Sequence, residues 1–289
     1  MSVPPRINYL SNKELLIEIH KSKLTYCSLL DPEYQQDRFR YYDIIVGEGG
    51  DQKKQGRLSD ITEEMIQTAK ANNAERVTKQ KKEELLEMGF RPQEIQVNTS
   101  ADDIKTENLV FRVMTDEHIP PEYKKKKKNA DGEDEERARM NFPPFKHYIL
   151  KDGQFVEVLR SHWKGDQFCT DHGKITHRLA FMFMKLVDKY SQRGNWRGYT
   201  YIDEMKSQAL VQLSQVGLQF DESRSITPNP FAYYTAVITA SFTRVLNIEK
   251  KNQSIRDDML QAMGHNPSFT RQIEHEYKMR EMEKNYREE

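Results

Sequence analysis

Ile175-Thr176-His177-Arg178-Leu179-Ala180-Phe181-Met182-Phe183-Met184-Lys185-Leu186-Val187-Asp188-Lys189-Tyr190 is the stretch whose reading decides the fold. Its apolar residues Ile175, Leu179, Met182, Phe183, Leu186, Val187 and Tyr190 recur at the three- and four-residue steps that gather side chains on one face of a helix. A turn at Arg193 to Gly198 follows, and Met205, Ala209, Leu213, Val216 and Phe220 give a second helix a similar face. Asp221 to Asn229 is rich in turn formers. Asn229 then suits an N-cap with Pro230 at the first helical position, and Tyr234, Ile238, Phe242 and Val245 line a third helix. Three antiparallel helices with short links predict a bundle.

Upstream the pattern is more mixed. Leu15, Leu16, Ile19 and Leu24 predict one short helix over residues 8–30, with Asn12 as its cap, that docks on something larger. Gly47 to Gly56 reads as a loop. Ile61, Met65 and Ala69, then Leu85 and Leu86, predict broken amphipathic helices ending at Arg91-Pro92. Leu109 to Val113 has strand composition, and Tyr148 to Leu150 with Phe155 to Leu159 reads as a hairpin about Asp152-Gly153. Between them, Lys124 to Lys128 precede the acidic run Asp131 to Glu136. The two readings of this block are a phosphate-binding finger and a solvated, self-neutralising loop; the acids would compete with DNA for the lysines. At the far end, Phe269 to Glu289 predicts a charged helix carrying Tyr277, Met279, Met282 and Tyr286.

A hydrophobic fraction of 36% in 289 residues predicts a compact core with solvated parts, and 45 basic against 45 acidic residues leave any attraction to nucleic acid local. Cys27 and Cys169 lie far apart, the first ten residues lack an apolar signal region, and no apolar run approaches the ~20 residues of a membrane span. The expectation is a soluble protein of a reducing compartment.

No Gly-rich phosphate loop, nucleophile elbow or fixed carboxylate pair points to catalysis, and no cofactor is expected. His162, Cys169, His172 and His177 offer four possible zinc ligands, but their spacing matches no standard site. The third helix is more informative. Tyr233, Thr235, Thr239, Thr243, Arg244, Asn247, Lys250 and Lys251, with Asn252, bring an aromatic ring, hydroxyls, amides and cations onto one helix. Cations hold phosphates, hydroxyls and amides bond backbone or base edges, and a tyrosine can stack on an unpaired base.

Tyr199-Thr200, Asp203-Glu204-Met205, Phe220-Asp221-Glu222, Asn229-Pro230-Phe231-Ala232-Tyr233-Tyr234-Thr235 and Ile248-Glu249-Lys250-Lys251 together resemble the late-transcription sigma factors of T-even-type tailed phages. The N-terminal Ile7-Asn8-Tyr9-Leu10-Ser11-Asn12-Lys13-Glu14-Leu15-Leu16 is similar to the same family's N-terminus, and 189–194, 220–221 and 233–244 more distantly resemble region 2 of bacterial sigma factors. The resemblance implies a mainly α fold, a sigma region 2-like helical bundle with a large inserted, partly disordered mixed α/β segment. It divides the chain into an N-terminal docking helix (1–30), an insertion with a charged linker at 124–137 (31–160), a core-binding and promoter-opening domain (161–252) and a C-terminal tail (253–289).

The resemblance further implies a non-catalytic subunit, acting in the cytoplasm of an infected bacterium, that directs host RNA polymerase core to late promoters with a −10-like element. It places Asp203, Glu204, Ser207, Gln208 and Ser214 against the clamp helices of the largest polymerase subunit, with Tyr233, Thr235, Thr239, Thr243, Arg244, Asn247, Lys250 and Lys251 on promoter DNA. Ala236 and Val237 stand where bacterial relatives carry a wedge of two tryptophans, so the resemblance implies help in opening DNA from a phage sliding clamp and a late co-activator, or from a topologically strained template. A DNA-binding protein independent of polymerase and a virion component are the alternative readings.

Overall fold

A computed structural model of the chain describes residues 10–30, 44–46, 56–128, 134–222 and 228–288. The expected loop from Gly47, up to residue 55, lies outside them, as do residues 31–43 of the insertion and Asp131 to Glu133 of the acidic run. The chain is mainly α. Six helices are present among the described residues: α1 (Asn12–Lys23), α2 (Glu63–Glu87), α3 (His177–Ser191), α4 (Ile202–Val216), α5 (Pro230–Ala262) and α6 (Phe269–Glu288). The residues divide into two compact units, Met1–Met182 with Ser214–Tyr233 and Phe183–Leu213 with Tyr234–Glu289.

In the first unit, α1 is capped by Ser11 rather than Asn12, because the Ser11 hydroxyl accepts the Glu14 amide at 3.1 Å. The helix stops at Lys23, well short of residue 30, and gives way through a turn at Leu24–Tyr26 to strand β1 (Cys27–Leu29). Helix α2 runs unbroken where the sequence predicts breaks. Its 25 residues contain no Gly or Pro and are rich in Ala, Glu, Lys and Gln, so propensity sustains it while only Ala69, Asn73, Ala74 and Val77 are buried. Gly89, at φ +92, ends the run in the left-handed conformation, with Gly89 and Phe90 amides bonded back to Leu86 and Leu85.

A five-stranded sheet forms from β1, β2 (Ile44–Val46), β3 (Val110–Val113), β6 (Lys146–Lys151) and β7 (Gln154–Ser161), in the order β1-β7-β6-β3-β2. Only the β2–β3 pairing is parallel. The β6–β7 hairpin turns at Asp152 and Gly153, with φ of 51° and 79°, the positive pair that a tight two-residue hairpin requires. Strand β3 is buried on both faces. Phe111 and Val113 pack with Leu109, Ile104 and the buried side of α2, while Arg112 projects to the opposite face.

The lysine run is strand β4 (Lys124–Lys128), paired antiparallel with β5 (Asp134–Ala138). Its register sets Lys126, Lys127 and Lys128 opposite Glu136, Glu135 and Asp134. A paired ribbon therefore stands where the sequence reads as a charged linker. A short hairpin, β8 (Trp163–Lys164) and β9 (Gln167–Phe168), follows β7, and His162 at φ 59° turns the chain into it.

In the second unit, Phe183, Leu186, Val187 and Tyr190 of α3, Met205, Ala209 and Leu213 of α4, and Tyr234, Ile238, Phe242 and Val245 of α5 are buried. Phe183 meets Tyr234 edge-on at 4.8 Å, and Tyr190 and Trp196 each meet Phe242 at 5.4 Å. The α6 helix is seated on α5 through Asp257, whose carboxylate accepts the Ser268 amide at 2.8 Å and hydroxyl at 2.7 Å.

Candidate nucleic-acid interface and docking helix

Helix α5 begins as its sequence predicts: the Asn229 side chain accepts the Ala232 amide at 3.1 Å, with Pro230 at the first helical position. From there the helix geometry sorts the residues implied to touch DNA. At about 100° per residue, Thr243, Arg244, Asn247, Lys250 and Lys251 fall within roughly 120° of arc opposite the buried Tyr234–Ile238–Phe242–Val245 face. All five are exposed. Ala236 and Ala240 lie exposed on that same side, leaving a smooth strip between the cap and the cations.

Three of the expected residues are engaged within the protein. The Thr239 hydroxyl donates to Thr235 O at 2.7 Å and lies 2.6 Å from the Tyr190 hydroxyl, which places it at the seam with α3. Thr235, which supplies that carbonyl, is half-buried. Tyr233 is also half-buried: its hydroxyl donates to Val216 O at 3.1 Å and its ring lies 5.5 Å from that of Phe220.

On α4, Asp203, Ser214, Ser207, Glu204 and Gln208 fall in that angular order across roughly 140° of arc. Gln208, at one edge of the arc, is half-buried, and the other four are exposed, opposite the buried Met205–Ala209–Leu213 stripe. Asp203 and Glu204 occupy the first turn, where the helix dipole favours acids. Lys206 pairs with Asp203 at 3.4 Å and with Asp188 at 2.9 Å, and the Ser207 hydroxyl is folded onto Asp203 O at 2.9 Å. Glu204 stands beside this arrangement on the exposed first turn.

A buried charge cluster holds the chain just ahead of α5. The Lys23 ammonium donates to Phe220 O at 2.5 Å and to Glu222 Oε2 at 2.6 Å. His20 Nε2 lies 3.2 Å and Arg112 Nη1 3.4 Å from Glu222 Oε1. Arg112 also donates through Nε to His147 at 2.9 Å and stacks on the Phe145 ring at 4.2 Å. The sequence reading singles out Phe220-Asp221-Glu222 as a motif but not its partners on α1, β3 and β6.

Burial alone would raise the Glu222 carboxyl; Lys23, His20 and Arg112 outweigh it and hold the group well below the usual carboxylate range. Burial, reinforced by Arg112, lowers His20 to about 4, and the same two causes in the same order lower His147 well below its ordinary value. Both histidines are therefore neutral at pH 7.

The four possible zinc ligands take other roles. The His162 ring is buried against Tyr26 with Nε2 at 3.2 Å from Phe142 O, Cys169 bonds the His162 carbonyl through its backbone amide, and His172 packs edge-on to Phe142. His177 is exposed at the start of α3. Among the described residues, no three His, Cys, Asp or Glu side chains converge as metal ligands, and no helix is long and apolar enough to cross a membrane. Comparison with family models, curated proteins and solved structures returns no match for this chain.

Proposed function

We propose that the protein is a sigma-type initiation factor that joins bacterial RNA polymerase core and directs opening of late viral promoters in the cytoplasm of an infected host. The observation that carries this reading is the division of exposed surface between two helices. The α4 arc presents Asp203, Glu204, Ser207 and Ser214, with Gln208 at its edge, and the α5 arc presents Thr243, Arg244, Asn247, Lys250 and Lys251. The first is acidic and polar, suited to a basic docking surface; the second is cationic and hydroxylic, suited to phosphates and base edges.

The chemistry asked of the chain is binding rather than bond making. Cations on α5 hold the backbone, and the free energy of binding core and DNA together offsets unpairing. Because Ala236 and Val237 give α5 no wedge, opening draws on further contacts, for which the family resemblance implies a sliding clamp and a co-activator or a topologically strained template. Co-purification tests the reading: the full chain retains core polymerase on an affinity resin in competition with host sigma. Failure to retain core would leave only a DNA-binding role.

A further inference from the structure

We infer that the ring cluster Tyr123–Phe168–Trp163, together with the exposed cations of the neighbouring ribbon, forms a binding surface for single-stranded nucleic acid in the first unit, separate from α5. This inference stands whether or not the protein engages polymerase. The Tyr123 and Phe168 rings lie 4.5 Å apart, Phe168 and Trp163 lie 6.0 Å apart edge-on, and the Arg160 guanidinium sits 5.2 Å over the Trp163 ring. Trp163 is fixed by donating its ring N–H to His118 O at 3.2 Å. Tyr123 remains 37% exposed, while Phe168 and Trp163 are half-buried. These rings stand on the short β8–β9 hairpin and a single turn outside the five-stranded sheet, and Tyr123 is the most exposed of the three.

Charge on the same surface selects the occupant. Tyr123 leads directly into β4, and its carbonyl accepts the Arg139 amide at 2.6 Å, so both strands of the ribbon leave from beside its ring. Lys125 and Arg139 are exposed, and Lys126, also exposed, stands opposite Glu136 in the register. Lys124, Arg160 and Lys164 are drawn to Asp116, Glu157 and Asp171, which leaves a few cations and not a broad basic field. A few cations beside stacked rings match a short single strand, whose bases offer ring faces and whose backbone offers widely spaced charges. A duplex hides its ring faces and gains nothing from the aromatic cluster.

The test is fluorescence anisotropy of labelled twelve-residue oligothymidylate and oligouridylate with the full-length protein at low salt, beside a duplex of equal length. Binding of either single strand, weaker binding of the duplex, and a log–log salt slope of about −2, as expected for about three neutralised phosphates, are the expected results. The oligomer bound more tightly identifies DNA or RNA as the source. Tyr123→Ala weakens binding about tenfold, Tyr123→Phe retains it, and Lys125→Glu lowers both affinity and salt slope. In Trp196→Phe, which leaves Trp163 as the sole tryptophan, the oligomer quenches emission. Absence of single-strand binding, equal binding of duplex, or binding that survives Tyr123→Ala and Lys125→Glu but is lost in Lys250→Glu/Lys251→Glu would overturn the inference.

Discussion

Lys23 Nζ stands 2.6 Å from Glu222 Oε2, with both side chains fully buried and 199 positions apart in the chain. This pair, with Arg112 and two neutral histidines, ties α1 and the sheet to the residues that precede α5. An ion pair at this depth gives little net stability over apolar packing of the same shape, but breaking it strands a charge. Glu222→Ala leaves Lys23 and Arg112 uncompensated, and we expect a loss of about 3 to 5 kcal/mol in urea unfolding. Adding Lys23→Met to Glu222→Ala recovers part of that loss. A double variant as unstable as the sum of its singles would show that the pair is not coupled.

Acid should destabilise the protein before the carboxylates titrate. His20, lowered to about 4 by burial and then Arg112, and His162, lowered to about 4 by burial, stay neutral in the folded chain at pH values where unfolded histidine, near 6.5, already binds protons. Their contribution is complete above about pH 6.5 and is lost as pH falls toward 4, on the order of 3 kcal/mol for His20 alone. Glu222 works in the same direction lower down: its depressed carboxyl contributes fully above about pH 4.5 and less below it. Urea midpoints at pH 7.5, 6 and 5 should therefore decline steadily, and less so in His20→Gln. A midpoint unchanged from pH 7.5 to 5 would contradict the assignment.

Tyr233 has a structural task and a proposed one, and its two parts separate them. The hydroxyl holds Val216 O at 3.1 Å and the ring rests near Phe220. Tyr233→Phe removes one hydrogen bond, about 1 kcal/mol of stability, and keeps the ring for stacking. Tyr233→Ala removes both, and loss of a stacked base lowers promoter opening roughly tenfold or more. Permanganate reactivity of promoter thymines should be near normal for Tyr233→Phe, low for Tyr233→Ala on linear DNA, and restored for Tyr233→Ala on a pre-melted bubble. A Tyr233→Ala protein that fails on both templates because it no longer binds core would make the residue purely structural.

Glu204→Lys tests the docking face on α4. The side chain is exposed in the first turn, so reversal leaves the helix core of Met205, Ala209 and Leu213 intact. Competition with host sigma for core should weaken severalfold and recover in part at high salt. Undiminished competition would remove α4 from the docking role.

The residues that follow a local rule were readable in the sequence, and those that depend on distant partners were not. Asp152-Gly153 demands its hairpin, Asn229-Pro230 opens α5, and most of the apolar faces of α3, α4 and α5 follow from spacing, although Ile175 lies before α3 and Phe220 beyond the end of α4 at Val216. Lys23, Arg112 and Glu222 carry charges that composition assigns to the surface, and only pairing across 110 and 199 positions explains their burial. Helix α2 was obscured because its buried stripe is shorter than the helix. The lysine run is a strand paired with Asp134–Ala138, a pairing that no local propensity encodes. Tyr233 and Thr239 illustrate the limit at the candidate site: spacing puts them near the polar side of α5, but Val216 O and the Tyr190 hydroxyl decide where their hydroxyl groups point.

Transcription by purified host core polymerase on a late-promoter template, with and without this protein, tests the central claim most directly. The account predicts specific transcripts from the late start site only when the protein is present, with thymines near the −10-like element becoming reactive to permanganate. Core polymerase that gives the same transcripts and the same reactivity with or without the protein would contradict it.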